Sequence, residues 1–312
     1  MSTSPLHEQV RAALFQLREV NPSSYVHLLL DGNHPCSVDD ALHASQLATR
    51  EIACTPVTVK RADFAHDPQI CPSLVTLFAP GDRGYPDELL LDQSIAYAHA
   101  HHASVNGTHV CGWLVSERPA EELAAHLASA CELFDLGIGK RRVLPLFEPH
   151  RLALAADAGK DGFMRRWLGP VSHWLWIDLN GALRSLAAHD LAQDGAGRQH
   201  LDERDWQAQR RVDEAKVVML ALADSQQMVP VKPEIAIDRA LQRAIDQGLQ
   251  RTEDLVFYAL NEFSIGAGWA AHPAALHAIA QAQAGNETLS ELISALNDAT
   301  LDEIAAWRAD AN

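Results

Sequence analysis

The sequence is short of positive charge. Its 25 lysines and arginines face 41 aspartates and glutamates over 312 residues, a net charge of −16 with histidine neutral. A phosphate backbone needs cations to neutralise it, so nucleic acid is not an expected partner. An anionic membrane surface would repel the chain for the same reason. No apolar run approaches the ~20 residues that span a bilayer. Met1–Pro5 is polar and leads into no apolar signal region, so the chain is expected to carry no signal peptide and to be cytoplasmic. Cysteines are few: Cys36, Cys54, Cys71, Cys111 and Cys131 include no CxxC pair. An odd number without metal-type spacing suits reduced, mostly buried thiols.

Common catalytic signatures are also missing. There is no GxSxG elbow, no HExxH and no phosphate loop. Gly137-Ile138-Gly139-Lys140 lacks the upstream glycine and the hydroxyl residue of a phosphate loop. It reads as a helix stop before a strand. Histidines cluster at His99, His101, His102 and His109, with His66 upstream. Imidazoles ligate zinc and nickel, and a strand would put His99 and His101 on one face, a helix His99 and His102. Neither geometry adds a carboxylate or thiolate at ligand spacing, so no metal and no cofactor are expected. Asp39-Asp40 and Glu121-Glu122 are adjacent pairs that split across an element and read as solvated charge. Asp31 ends an apolar run, a common place for functional residues in α/β folds, and is also the first residue of an Asp-Gly turn.

What is present is a core. Hydrophobic residues make up 47% of the chain, enough for a folded protein without disulfides or metals. Tyr25–Leu30, Leu74–Phe78, Val110–Val115, Val143–Phe147 and Trp174–Ile177 read as strands. Between the third and fourth, Ala120, Leu123, Ala124, Leu127, Cys131 and Phe134 fall on one helical face, closed by Gly137 and Gly139. Asn180-Gly181 is a turn signal. Trp174 and Trp176 would share one face of their strand, with Leu175 and Ile177 opposite. A strand apolar on both faces reads as buried, although tryptophans are also enriched at binding surfaces.

A polar, glycine-rich stretch at 193–199 divides the sequence, and no strand pattern follows it. Pro233 opens one helix with Ile237, Leu241, Ala244 and Ile245 inward. Thr252 caps a second, with Leu255, Val256, Ala259, Leu260 and Phe263 inward. His272-Pro273 starts a third. Thr288–Glu291 and Thr300–Glu303 have capping-box spacing. The expected fold is an α+β or α/β N-terminal lobe, a mixed sheet flanked by helices, with an all-α C-terminal lobe. The expected divisions are 1–190, a linker at 191–202, and 203–312.

Four stretches then occur in a telling order. They are Leu30-Asp31-Gly32; Pro72–Leu77 (Pro-x-Leu-Val-x-Leu); Trp113 followed by Leu123–Leu127 (Leu-x-x-His-Leu); and Leu146-Phe147-Glu148-Pro149 with Arg151-Leu152. Gly169–Trp174 and Asp178–Gly181 follow. In this order, over residues 24–183, the chain resembles the effector-adaptor, or chaperone, family of type VI secretion, whose genes often neighbour VgrG spike proteins. It departs where members carry an arginine and this chain has Pro145, which suggests an edge or bulged strand.

The resemblance implies a cytoplasmic adaptor that binds a secreted effector protein and helps load it onto a VgrG spike. It implies no catalytic residue and no cofactor. The partner-binding candidates are Asp31, Trp113, Glu148, Arg151, His173 and Trp174. Two alternatives stand beside it: a hydrolase or metalloenzyme using Asp31 or the His99, His101 and His102 cluster, and an immunity protein that neutralises a toxin.

Overall fold

The structure, a computed structural model, describes residues 5–34, 36–50, 55–83, 87–102, 104, 107–191, 200–225 and 230–307. The chain divides into two compact units, Met1–Gln207 and Ala208–Asn312. The expected glycine-rich linker, and Cys54, lie outside the described residues.

Unit 1 runs α1 (Pro5–Val20), β1 (Tyr25–Leu30), α2 (Ala44–Leu47), β2 (Val57–Thr58), β3 (Ser73–Phe78), α3 (Glu88–His101), β4 (Val110–Ser116), α4 (Ala120–Ala130), β5 (Glu132–Asp135), β6 (Lys140–Val143), α5 (Pro149–Asp157), α6 (Asp161–Leu168), β7 (Val171–Ile177) and β8 (Leu183–Ala187). Six strands form one sheet in the order β2-β3-β1-β4-β7-β8, and β5 and β6 form a separate hairpin. Every neighbouring pair in the six-stranded sheet is antiparallel. The expected lobe of sheet and flanking helices is present, with its strands antiparallel throughout.

Alternation along the strands splits the core in two. Leu29, Leu74, Leu114, Trp174 and Trp176 join Leu123, Leu127, Leu152 and Phe163 from α4, α5 and α6 on one face. Leu28, Leu30, Val75, Trp113, Leu175 and Ile177 join Val10, Leu14, Leu91 and Ile95 from α1 and α3 on the other. The period of two that assigned Trp174 and Trp176 to one side therefore holds, and both faces are buried. A fully buried tryptophan removes roughly 150–250 Å² from water, an upper limit of ~4–6 kcal/mol at about 25 cal/mol per Å². Trp113, Trp174 and Trp176 are each at most 1% exposed, so they are major contributors to this core.

The chain departs from the sequence pattern between 131 and 149. The helix ends at Ala130, and Phe134 lies on β5, exposed. Gly137 and Gly139 sit in the turn of the β5–β6 hairpin, not at a helix stop. The expected strand at Val143–Phe147 is not formed: β6 ends at Val143, and Pro145 lies in a turn closed by the Glu148 amide donating to the Pro145 carbonyl at 3.0 Å. The helical spacing of Leu127, Cys131 and Phe134 continues past the end of α4, but Cys131 is its C-cap and Phe134 stands exposed on β5.

Unit 2 is all helical among the described residues. Helix α7 (Glu203–Arg210) crosses the boundary and is followed by α8 (Val212–Asp224), α9 (Pro233–Asp246), α10 (Thr252–Ser264), α11 (Pro273–Gln283), α12 (Leu289–Ser294) and α13 (Asp298–Ala306). Pro233 and Pro273 open their helices as expected. The Thr288–Glu291 capping box forms with both reciprocal bonds. Thr300 instead lies inside α13, whose N-cap is Asn297, accepting from the Thr300 amide at 3.0 Å. Thr252 is the first helical residue of α10 and Arg251 its N-cap. No described helix is long and apolar enough to cross a membrane.

Candidate metal centre

The site grows from the end of β1. Asp31 leaves the sheet still held by its neighbour: its amide donates to the His109 carbonyl at 2.7 Å, and His109 Nδ1 meets the Asp31 carbonyl at 2.7 Å. Asp31 Oδ1 accepts the Asn33 amide at 3.0 Å, an Asx turn. This turn folds the chain back so that His34 Nε2 comes to 3.5 Å from Asp31 Oδ2. Gly32 permits the fold, because a Cβ there would meet the Gln69 carbonyl at 2.8 Å and the Cys71 carbonyl at 3.0 Å.

The third member arrives from the Pro145 turn. That turn delivers Glu148 to the N-cap of α5, with Pro149 as the first helical residue. The Glu148 side chain does not cap the helix. One carboxylate oxygen accepts from Arg151 Nε at 3.0 Å. One ligand atom each from Asp31, His34 and Glu148 lies within 4.8 Å of the other two.

Electrostatics in this cluster are unbalanced. Asp31 is 1% exposed, while His34 and Glu148 keep 11% and 13% of their side chains open to solvent. Burial raises the Asp31 carboxyl above its ordinary pKa; His34, the Asn33 amide and Arg61 oppose the shift, and the Glu148 carboxylate adds to it. Arg61 is held by Asp63, with Nη2–Oδ2 at 2.6 Å and Nε–Oδ1 at 3.1 Å, and lies over the rings of Phe64 and Phe147. Arg151 goes to Glu148. Asp31 Oδ2 and His34 Nε2 are both buried without a hydrogen-bond partner among the described residues. Burial pushes the Cys131 thiol up to about 12 and the Cys111 thiol well above its ordinary value.

The structure brings together Asp31 and Glu148 from the sequence candidates, with Arg151 joined through Glu148. The rest lie apart. Trp113 is a core residue on one face of the sheet, donating Nε1–H to Ser94 Oγ at 3.0 Å. Trp174 is buried on the other face, donating to the Cys111 carbonyl at 3.3 Å. Neither presents surface. His173 is partly buried on β7, its ring 5.3 Å from that of His189. In the histidine cluster, His99 stacks on His102, His101 lies against Tyr97, and His109 faces the carbonyls of Asp31 and Leu42. Among the described residues these histidines do not gather a three-ligand group; Asp31, His34 and Glu148 do.

His34 was missed by sequence reasoning. Its signal was the Asp31-x-x-His34 spacing in a turn directly after a buried strand, which an Asx turn converts into side-chain proximity. The expectation of no catalytic residue, and hence no enzyme, is corrected by this cluster: a buried carboxylate, an imidazole and a second carboxylate converge with the geometry of metal ligands. No family model, no curated protein and no solved structure matches the chain.

Proposed function

We propose that the chain is a metal-dependent hydrolase whose divalent ion is held by Asp31, His34 and Glu148. The observation that carries this reading is the 3.5 Å separation of Asp31 Oδ2 and His34 Nε2, with neither atom hydrogen-bonded among the described residues. That is long for a hydrogen bond, yet two ligands at about 2.0–2.2 Å from a tetrahedral ion stand about 3.4 Å apart. A cation there would neutralise Asp31 and relieve its repulsion with Glu148. Two oxygens and one imidazole suit zinc or manganese. Three protein ligands leave a position for water, which zinc acidifies to a pKa of about 7. The solvent-open edge at His34 and Glu148 is where a substrate ester or amide would reach that water.

Calorimetric titration of metal-stripped full-length protein with Zn²⁺ and Mn²⁺ tests the site. One ion per chain is expected, with binding weakened by about tenfold or more in Asp31→Asn, His34→Ala and Glu148→Gln. A panel of chromogenic phosphate and carboxylic esters then tests hydrolysis by the loaded protein. Absence of saturable binding, or binding unchanged in all three variants, removes the reading.

The cytoplasmic secretion adaptor is a second proposal. Its support is the ordered motifs over residues 24–183 and the succession of an α/β unit and a helical unit that the resemblance implies. Co-purification with the products of a neighbouring effector gene and a VgrG gene tests it. Failure to retain either protein counts against it.

A further inference from the structure

The β5–β6 hairpin stands apart from the six-stranded sheet and has an inner and an outer side. Phe134 pairs with Arg141, and Asp135 with Lys140, across the two strands. Paired residues share a face, so Asp135, Leu133, Lys140 and Arg142 lie on one side and Glu132, Phe134, Arg141 and Val143 on the other. The first side is anchored: Asp135 is fully buried, Arg142 reaches it at 3.4 Å, and the Arg142 guanidinium lies over the Trp206 ring. The second side packs Val143 against the core at its base and is open towards the tip. Phe134 is 43% exposed, and Leu136 and Ile138 at the tip are 61% and 51% exposed.

Beside these apolar groups runs Lys140-Arg141-Arg142, the longest unbroken basic run in a chain of net charge −16. Arg141 is largely exposed and only 3.9 Å from Glu132 at its nearest. Lys140 has no ion pair among the described residues. The hairpin has two strands, so each keeps an outer edge whose backbone groups are not paired within the sheet, a template for an added strand.

We propose that the outer edge of β6 receives an extended, acidic and apolar segment of a partner protein as a third strand. Charge decides the occupant. A second copy of the same edge would set Arg141 and Lys140 against their own kind, which is how proteins discourage self-pairing at an edge. A flat anionic bilayer would meet the rest of the acidic surface along with the hairpin. An extended segment meets the hairpin alone. Its carboxylates would line the open face beside Arg141, and its apolar side chains would reach Leu136 and Ile138 at the tip. This surface is independent of the metal centre.

Fluorescence anisotropy with the full-length chain tests the surface. The probe is a labelled peptide alternating glutamate with valine and leucine, and the control is its lysine-for-glutamate counterpart. Saturable binding of the glutamate peptide is expected, weakening as salt rises, with no binding of the lysine peptide. Lys140→Glu with Arg141→Glu should weaken it by about tenfold or more, the size of one or two cross-strand pairs lost and reversed. Leu136→Ser with Ile138→Ser, a change at an exposed tip, should weaken it with the fold retained. Equal binding of the two peptides, or no loss in the tip variant, overturns the proposal. So does capture by anionic vesicles without peptide binding, or a dimer that Arg141→Glu dissociates.

Discussion

Gly107 lies under the imidazole of His34, so close that a Cβ on the glycine would overlap the ring. Its φ of +83° is also one that only glycine adopts readily. Gly107→Ala should therefore cost about 1–3 kcal/mol in denaturant unfolding. It should also push His34 away from Asp31 and weaken metal binding in the same titration. Wild-type affinity in this variant would show that His34 is not a ligand.

Asp31→Asn should have opposite effects with and without metal. Without metal, Asp31 is a buried carboxylate with one unsatisfied oxygen beside a second carboxylate. Asparagine keeps the oxygen that accepts the Asn33 amide and removes the charge. The metal-free variant should unfold at the same denaturant concentration as wild type or a higher one, by on the order of 1 kcal/mol. With metal at about a hundred times its dissociation constant, wild type should gain about 2.7 kcal/mol and the variant almost none. Curves that do not change order between the two conditions would remove the proposed ligand role.

The two lobes were legible because burial on both faces of a strand and the amphipathic spacing of α9 to α11 are local signals. The candidate metal centre was half legible. Asp31 stood out at the end of an apolar run, and Glu148 stood before a proline. Their meeting depends on the Pro145 turn, which sets Glu148 at the N-cap of α5 beside Asp31, and local periodicity does not encode that. His34 was hidden because turn residues carry no periodic signal, and the sixteen histidines of the chain drew attention to the run at 99–102. The tryptophans were ambiguous for the opposite reason: core and interface favour the same side chain.

Trp113→Phe separates packing from recognition. The indole N–H of Trp113 donates to Ser94 Oγ, which itself donates to the Leu91 carbonyl at 2.7 Å. The bond ties β4 to α3 inside the core. Losing it and leaving a small cavity should cost about 1–3 kcal/mol in urea unfolding. Hairpin peptide binding and metal affinity should be unchanged under conditions where the variant is folded. A folded Trp113→Phe protein that loses either would show coupling through the sheet.

His27 gives the fold an acid sensitivity of known sign. Its ring is fully buried on β1, with Nε2 donating to the Arg118 carbonyl at 3.0 Å and Nδ1 facing Thr76 Oγ1 at 3.2 Å. The carbonyl can only accept, so Nε2 carries the proton and Nδ1 accepts from the hydroxyl. Burial lowers the His27 pKa, opposed by the Arg118 carbonyl and by Glu121. The unfolded chain takes up this proton near pH 6.5, whereas the folded chain resists until lower pH. Between those values the unfolded state binds more protons, so the stability tied to neutral His27 is complete above the unfolded pKa and falls as pH drops towards the folded one. One group gives a slope of at most about 1.4 kcal/mol per pH unit. Urea unfolding of wild type and His27→Gln between about pH 7 and pH 5 isolates it, because every other group is common to the two proteins. Glutamine can bond both partners without titrating, so the variant should lose less stability on acidification. Parallel losses in the two proteins would place the acid sensitivity on other groups.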